Sequence, residues 1–310
     1  MISISNNVFQ FQEVETLAIV ERLERNEAVS KALKEGSSHF TFTPERRRLF
    51  LRDLINVVIG LVIVIAIWWA IAEVIIFVKG ADFPRPLETF TALWDALMGS
   101  VINGESIFTH TSASLYRWGL GYIIALALGI AIGFVFGTVP RFHETGMIPV
   151  YIMQMIPGLA WVPIAMLIFG LGETSTVFII LVTALPPIVI NTAGGMRQVP
   201  PIYTRVARMS GRDSWALFSK VLLPGAALSI INGMRVGLAN GWRVLIAAEM
   251  VVGVSVGLGA SIFNSRYSLN FIDAFVCIIV ICAIGLIIEK LLFVWLENRL
   301  RNRLGLDRED

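Results

Sequence analysis

Apolar positions along the 310-residue chain gather in six long blocks, at about residues 54–78, 113–138, 144–169, 174–193, 226–252 and 273–296. A helix crosses the roughly 30 Å hydrocarbon core of a bilayer in about 20 such residues. The pattern predicts an all-α polytopic membrane protein with six transmembrane helices. Within the second block Gly121, Ala125, Gly129, Gly133 and Gly137 recur every four residues. Small residues at that spacing let two helix backbones approach closely in lipid, so this face is expected to pack against another helix. The third block is interrupted by Pro149, Pro157 and Pro163, and the fourth holds Pro186-Pro187. Each proline removes a backbone donor, which predicts kinks at these points. The connector 79–110 carries Pro84 and Pro86 and a short amphipathic stretch at about 87–98.

Composition and charge refine this picture. Apolar residues make up 56% of the chain and charged residues 15%, against roughly 25% charged in an average soluble domain. A disordered chain is excluded and an ordinary soluble enzyme is disfavoured. The net charge of +2 gives no reason to expect nucleic acid as a partner. Its distribution sets a topology: with the N-terminus in the cytoplasm, the inner segments 1–53, 139–143, 194–222 and 297–310 hold eighteen Lys and Arg. The outer segments hold only Lys79, Arg85 and Arg266. By the positive-inside rule, both termini are expected in the cytoplasm, at the inner face of a cell membrane. The chain then divides into a cytoplasmic N-terminal tail (1–53), a transmembrane domain (54–296) and a cytoplasmic C-terminal tail (297–310). Residues 13–34 could form an amphipathic helix in the first tail, and Arg46, Arg47, Arg48 and Arg52 cluster before the first span. No signal-peptide pattern precedes that span, which is expected to stay as an uncleaved anchor. Cys277 and Cys282 are read as small core residues, His110 and His143 as lone interfacial ones, and no metal-ligand spacing is present.

The longest inner loop, 194–222, is partly apolar. Pro200-Pro201 stops the fourth span, residues 203–209 read as a short helix, Gly211 as a break and 214–222 as a second helix. An apolar helical elbow with no lipid to meet suggests a docking knob. The chain here reads Arg205-Val206-Ala207, three residues, Gly211, nine residues, Val221, one residue, Leu223-Pro224. It resembles the Glu-Ala-Ala…Gly…Ile-x-Leu-Pro loop of permease subunits of ATP-binding-cassette importers, with Arg205-Val206 standing where the family has Glu-Ala. The resemblance spans about 105–300. It is closest to the nitrate, sulfonate, taurine and bicarbonate group through the segments 111–118, 163–172 and 241–250, followed by Gly257-Leu258-Gly259. It implies a type I importer permease (MetI-like) fold. It also implies a second permease copy, two cytosolic ATPase subunits gripping the elbow, and an external binding protein that delivers a small anion. No Gly-x-x-x-x-Gly-Lys-Ser/Thr cradle occurs in the chain. The chain is therefore read as a transporter subunit without a cofactor, with ATP and magnesium on the partner ATPases.

Ionisable groups at bilayer depth are costly unless paired or wet. In the fifth block Arg235, Trp242 and Glu249 are seven apart, on one stripe, and Arg243 lies about 100° round from Trp242. In the third, Gln154 and Trp161 are also seven apart. These six residues are candidates for the substrate path, with Glu249 holding an Arg in place. The alternative is an internal Arg–Glu pair fixing helix packing, with Arg117 as a possible partner. Two other functional readings stay open: import of a heterocyclic vitamin precursor by the same architecture, and an ATP-independent channel or secondary transporter.

Overall fold

A computed structural model describes residues 44–211 and 213–293, together with 295 and 299. The helix expected at 13–34 and nearly all of the tail 297–310 lie outside the described residues. The chain divides into two compact units, Met1–Ala70 and Ile71–Asp310. Helix α1, Pro44–Lys79, begins ten residues before the expected first span. Its side chains from Ile55 onward are mostly exposed apolar groups, as suits contact with lipid. Its apolar part, Ile55–Lys79, is, among the described residues, one of five helices long and apolar enough to cross a membrane, or of up to six if a bent pair is one span.

The second unit continues with α2, Pro86–Leu97, the amphipathic helix expected in the connector. A two-stranded hairpin follows, β1 Val101–Ile102 and β2 Glu105–Ser106. Asn103 and Gly104 both adopt positive φ at its turn. The Asn-Gly pair is the strongest short hairpin signal a sequence carries. The long helices are α3, Ile107–Thr138, α6, Glu173–Gln198, and α9, Leu223–Val251. Between α3 and α6 the chain forms α4, Pro140–Met155, a 3-10 turn, Gly158–Trp161, and α5, Val162–Phe169. The two halves meet at 101°. The third span is thus broken at Pro157, while Pro149, Pro186 and Pro187 sit inside continuous helices. Helices α7, Pro201–Met209, and α8, Ser214–Leu217, form the elbow, and a π turn, Phe218–Leu222, leads into α9. Helix α10, Leu258–Ser268, occupies what was read as an outer loop, and α11, Phe271–Ile287, ends in a second π turn, Ile288–Phe293.

Helix α6 is the centre of this unit because two glycine faces press on it. A Cβ added at Gly121, Gly129, Gly133 or Gly137 of α3 would sit 2.6–2.9 Å from side chains of Ile180, Ile188, Thr192 and Met196. The partner on α6 advances by four for each step of four on α3, so the two helices run parallel in register. On the other side Gly233, Gly237 and Gly241 of α9 approach Asn191, Ile188 and Ile180 in descending order, so α9 runs antiparallel to α6. The first stripe is visible in the sequence. The second has the same spacing and was not singled out. Burial of Ile179, Ile180, Ile188, Leu245 and Ala248 at the seams completes the core.

Candidate functional site

At the end of the bundle where α3 and α6 begin, a buried ionic cluster ties four helices together. Arg117 on α3 is 3% exposed and Glu249 on α9 is 1% exposed. Arg117 Nη1 donates to Glu249 Oε1 at 2.6 Å, and its Nε and Nη2 grip the Glu173 carboxylate at 2.6 Å each. Glu173 starts α6 and stays 61% exposed, so the cluster reaches solvent on that side only. The Ser114 hydroxyl donates to both Glu249 oxygens at 2.9 Å, and the Gly259 N–H donates to Oε2. The neighbouring amides are satisfied from α3: Leu258 N–H by Ser114 Oγ and Gly257 N–H by His110 Nδ1. Glycine at 257 and 259 is required by proximity. A Cβ on Gly257 would lie 2.7 Å from the Glu249 carboxylate, and one on Gly259 only 2.3 Å from the Ile246 carbonyl.

This geometry chooses between two stated alternatives and corrects one expectation. The Arg held by Glu249 is Arg117, not Arg235 or Arg243, so the packing alternative describes the pair. His110 is not interfacial. It is buried, and its Nε2 lies 2.9 Å from the Ile102 carbonyl, so the imidazole pins the hairpin to α10.

Of the remaining candidates, all but Trp161 line one or both of two cavities. One, of about 380 Å³, lies at the break in the third span and is lined by Gln154, Pro157, Gly158, Thr183, Asn240 and Arg243, among others. Gln154 and Arg243, on separate spans, therefore border one cavity. Trp161 is not beside Gln154 on a stripe, because the chain turns between them; seven-residue spacing fails where the helix stops. The second cavity, about 630 Å³ between α9 and α11, is lined by Arg235, Trp242, Arg243 and Glu289, among others. Trp242 is 6% exposed and packs edge-to-face on Trp118 at 5.5 Å, which makes it chiefly a core residue. Arg235 lies 5.5 Å over the Phe293 ring. The stripe Arg235–Trp242–Glu249 faces neighbouring helices, whereas Arg243, one step round, is exposed. Cys277 is buried as expected, but Cys282 is exposed.

At the opposite end, the elbow separates an inner from an outer face. Ala207 is buried, while Ile202, Tyr203, Val206, Met209 and Trp215 are exposed, Met209 at 88%. Arg205 and Arg208 are exposed beside them. Gly211 has φ +69°, a left-handed conformation that suits glycine and turns the chain between α7 and α8. Asp213 Oδ1 accepts from the Ala216 N–H at 2.9 Å and starts α8. A cleft of about 870 Å³ behind α7 is lined by Val206, Ala207, Val221 and Pro224, among others. Leu223 opens α9 with Pro224 next.

Residues 125–302 match the family described as "Binding-protein-dependent transport system inner membrane component". The chain is 36% identical over 196 residues to the bicarbonate transport system permease protein CmpB of Synechococcus elongatus, covering 63% of this chain and 69% of that one. It is 28% identical over 265 residues to the nitrate import permease protein NrtB of Synechocystis, covering 82% and 94%. It is also 28% identical over 199 residues to the taurine transport system permease protein TauC of Escherichia coli, covering 64% and 72%. A chain of the inward-facing MetNI methionine ABC transporter superposes with a TM-score of 0.48 at 18% identity, over 71% of this chain and 99% of that chain.

Proposed function

The chain belongs to the family of inner-membrane components of binding-protein-dependent transport systems, as a multi-pass permease subunit of an ABC importer and not an enzyme in its own right, and from that premise we propose that it forms the path for a small oxyanion. The carrying observation is Arg243. It lies eight residues inside the end of α9 at Val251, about 12 Å along a helix axis. An uncompensated cation at bilayer depth costs about 2.5–3.5 kcal/mol on insertion scales. Its hydrogen bonds run only to its own helix, to the Ala239 carbonyl at 3.1 Å and Asn240 Oδ1 at 3.0 Å. Among the described residues no carboxylate lies within ion-pairing distance of it. Water and a passing anion are what such a group needs. Bicarbonate and nitrate, for which similar permeases are named, are oxyanions, and taurine carries a sulfonate.

In this reading two cytosolic ATPase subunits, holding ATP and magnesium, dock on residues 200–224. The exposed apolar face of α7 and the side chains Arg205 and Val206 meet them, and Gly211, Val221, Leu223 and Pro224 set the shape of the elbow behind it. A second permease copy completes the path and an external binding protein loads it. Both termini are cytoplasmic, which the concentration of Lys and Arg on the elbow side supports. The test is uptake by the whole transporter in proteoliposomes, offered nitrate, bicarbonate and taurine in turn. Arg243→Gln is expected to abolish uptake of whichever is carried while the complex still assembles; unchanged uptake rejects the anion path. Gly211→Arg is expected to release the ATPase subunits on purification, and their full retention rejects the docking site.

A further inference from the structure

The cavity at the broken third span carries more than a lone charge. It offers hydrogen-bond donors and no carboxylate: no Asp or Glu lines it. Arg243 commits Nε and one Nη2 hydrogen to acceptors on its own helix. A guanidinium has five N–H groups in a planar fork, so the outer edge formed by Nη1 and the second Nη2 hydrogen is free to take two oxygens side by side. Because Asn240 turns its Oδ1 to Arg243, its amide NH2 points away from that bond as a further donor. Thr183 Oγ1, from the central helix α6, is buried without a hydrogen-bond partner among the described residues and borders the same cavity. Gly158 lets the broken span approach α6 and α9 closely at this corner: a Cβ there would lie 2.5 Å from Val244 Cγ2 and 2.9 Å from Thr183 Oγ1. Gln154 on α4 is exposed across the gap.

We propose that the break between α4 and the 158–169 half-helix is a discrete oxyanion-binding station inside the permease, where the outer edge of the Arg243 fork takes two oxygens of the anion and Asn240, Thr183 and Gln154 donate to the rest. The inference rests on the anion-path reading and adds to it that the permease itself grips the substrate by shape. A bidentate fork matches planar or tetrahedral oxyanions and gives no such advantage to a spherical halide. The volume of about 380 Å³ falls within the usual range for small-ligand sites. The station would sit where α4, α6, α9 and the half-helix meet, so that a change in the angle between α4 and the half-helix would open or close it.

The complete transporter, reconstituted with its ATPase and loaded binding protein, tests this. Arg243→Lys keeps the charge and loses the fork, and is expected to cut uptake about tenfold. Thr183→Val is expected to cut it about threefold to tenfold, with Thr183→Ser restoring it. Independently, Gln154→Cys, in a background with Cys282→Ser, is expected to be alkylated about fivefold or more slowly in saturating concentrations of whichever of nitrate, bicarbonate or taurine is taken up, and unslowed in the same concentration of chloride. If Arg243→Lys and Thr183→Val both match the parent while Arg243→Gln is dead, the path needs a cation but there is no station. Equal protection of Gln154→Cys by chloride also overturns the station. If Arg243→Gln itself transports normally, the anion path fails as well.

Discussion

Arg117 is the residue on which the end of the bundle opposite the elbow depends. It satisfies two carboxylates, one of them, Glu249, with no access to water. Burying a charge is expensive, and removing one member of a buried pair strands the other, at about 3–5 kcal/mol. Arg117→Met is therefore expected to lower the stability of the detergent-solubilised protein by roughly that amount. Glu249→Gln added to it should recover more than half of the loss, since a neutral amide still accepts from Ser114 and Gly259 and no longer demands a counterion. Thermal unfolding of the two single variants and the double variant measures this as a cycle; additive losses would mean that the pair is not coupled. Ion pairing was expected for Glu249, but the sequence could not choose among Arg117, Arg235 and Arg243. That choice depends on which helix faces α9, and Arg117 is more than a hundred residues away along the chain.

At the level of the element, glycine placement decides which helices touch. Gly129 and Gly119 lie on the same helix, yet a Cβ on Gly129 would meet Ile188 Cγ2 at 2.7 Å, while one on Gly119 would meet nothing within 4 Å. Gly129→Ala is expected to cost about 1–3 kcal/mol by overpacking. Gly119→Ala should be neutral or stabilising by up to about 1 kcal/mol, through the better helix propensity of alanine. Unfolding midpoints of the two variants compared with the parent settle the point, and equal losses would contradict the α3–α6 seam. The broken third span belongs to this scale too. Pro157 was legible as a kink; that it produces a turn of 101° and not a bend was not. Pro149, Pro186 and Pro187 have the same local chemistry, yet their helices continue past them.

For the whole molecule, the ionic cluster and the elbow lie at opposite ends of the long helices, since α3 and α6 run from the first end toward the second and α9 returns. Opposite ends of spanning helices face opposite sides of a membrane. Trp215 on the elbow and Tyr267 on α10 are both exposed, at 69% each. With Cys282 replaced, Trp215→Cys is expected to react with a membrane-impermeant thiol reagent only from the cytoplasmic side, and Tyr267→Cys only from the other. Labelling of both from one side would invert or abolish the topology that the Lys and Arg distribution indicates.

Membrane residence, the all-α fold, the first glycine seam and the family resemblance followed from the sequence alone. They rest on local regularities: run length against bilayer thickness, spacing against helical pitch, and motifs fixed along the chain. The tertiary structure decided everything that depends on distance across the bundle. It gave Glu249 to Arg117, buried Trp242 and His110, and separated Trp161 from Gln154. It also set Gln154 and Arg243 on one cavity, beside a threonine and an asparagine that no motif had marked. Helical periodicity predicts neighbours only while the helix continues and only on its own surface. Which surfaces meet is fixed by the packing of all the helices at once.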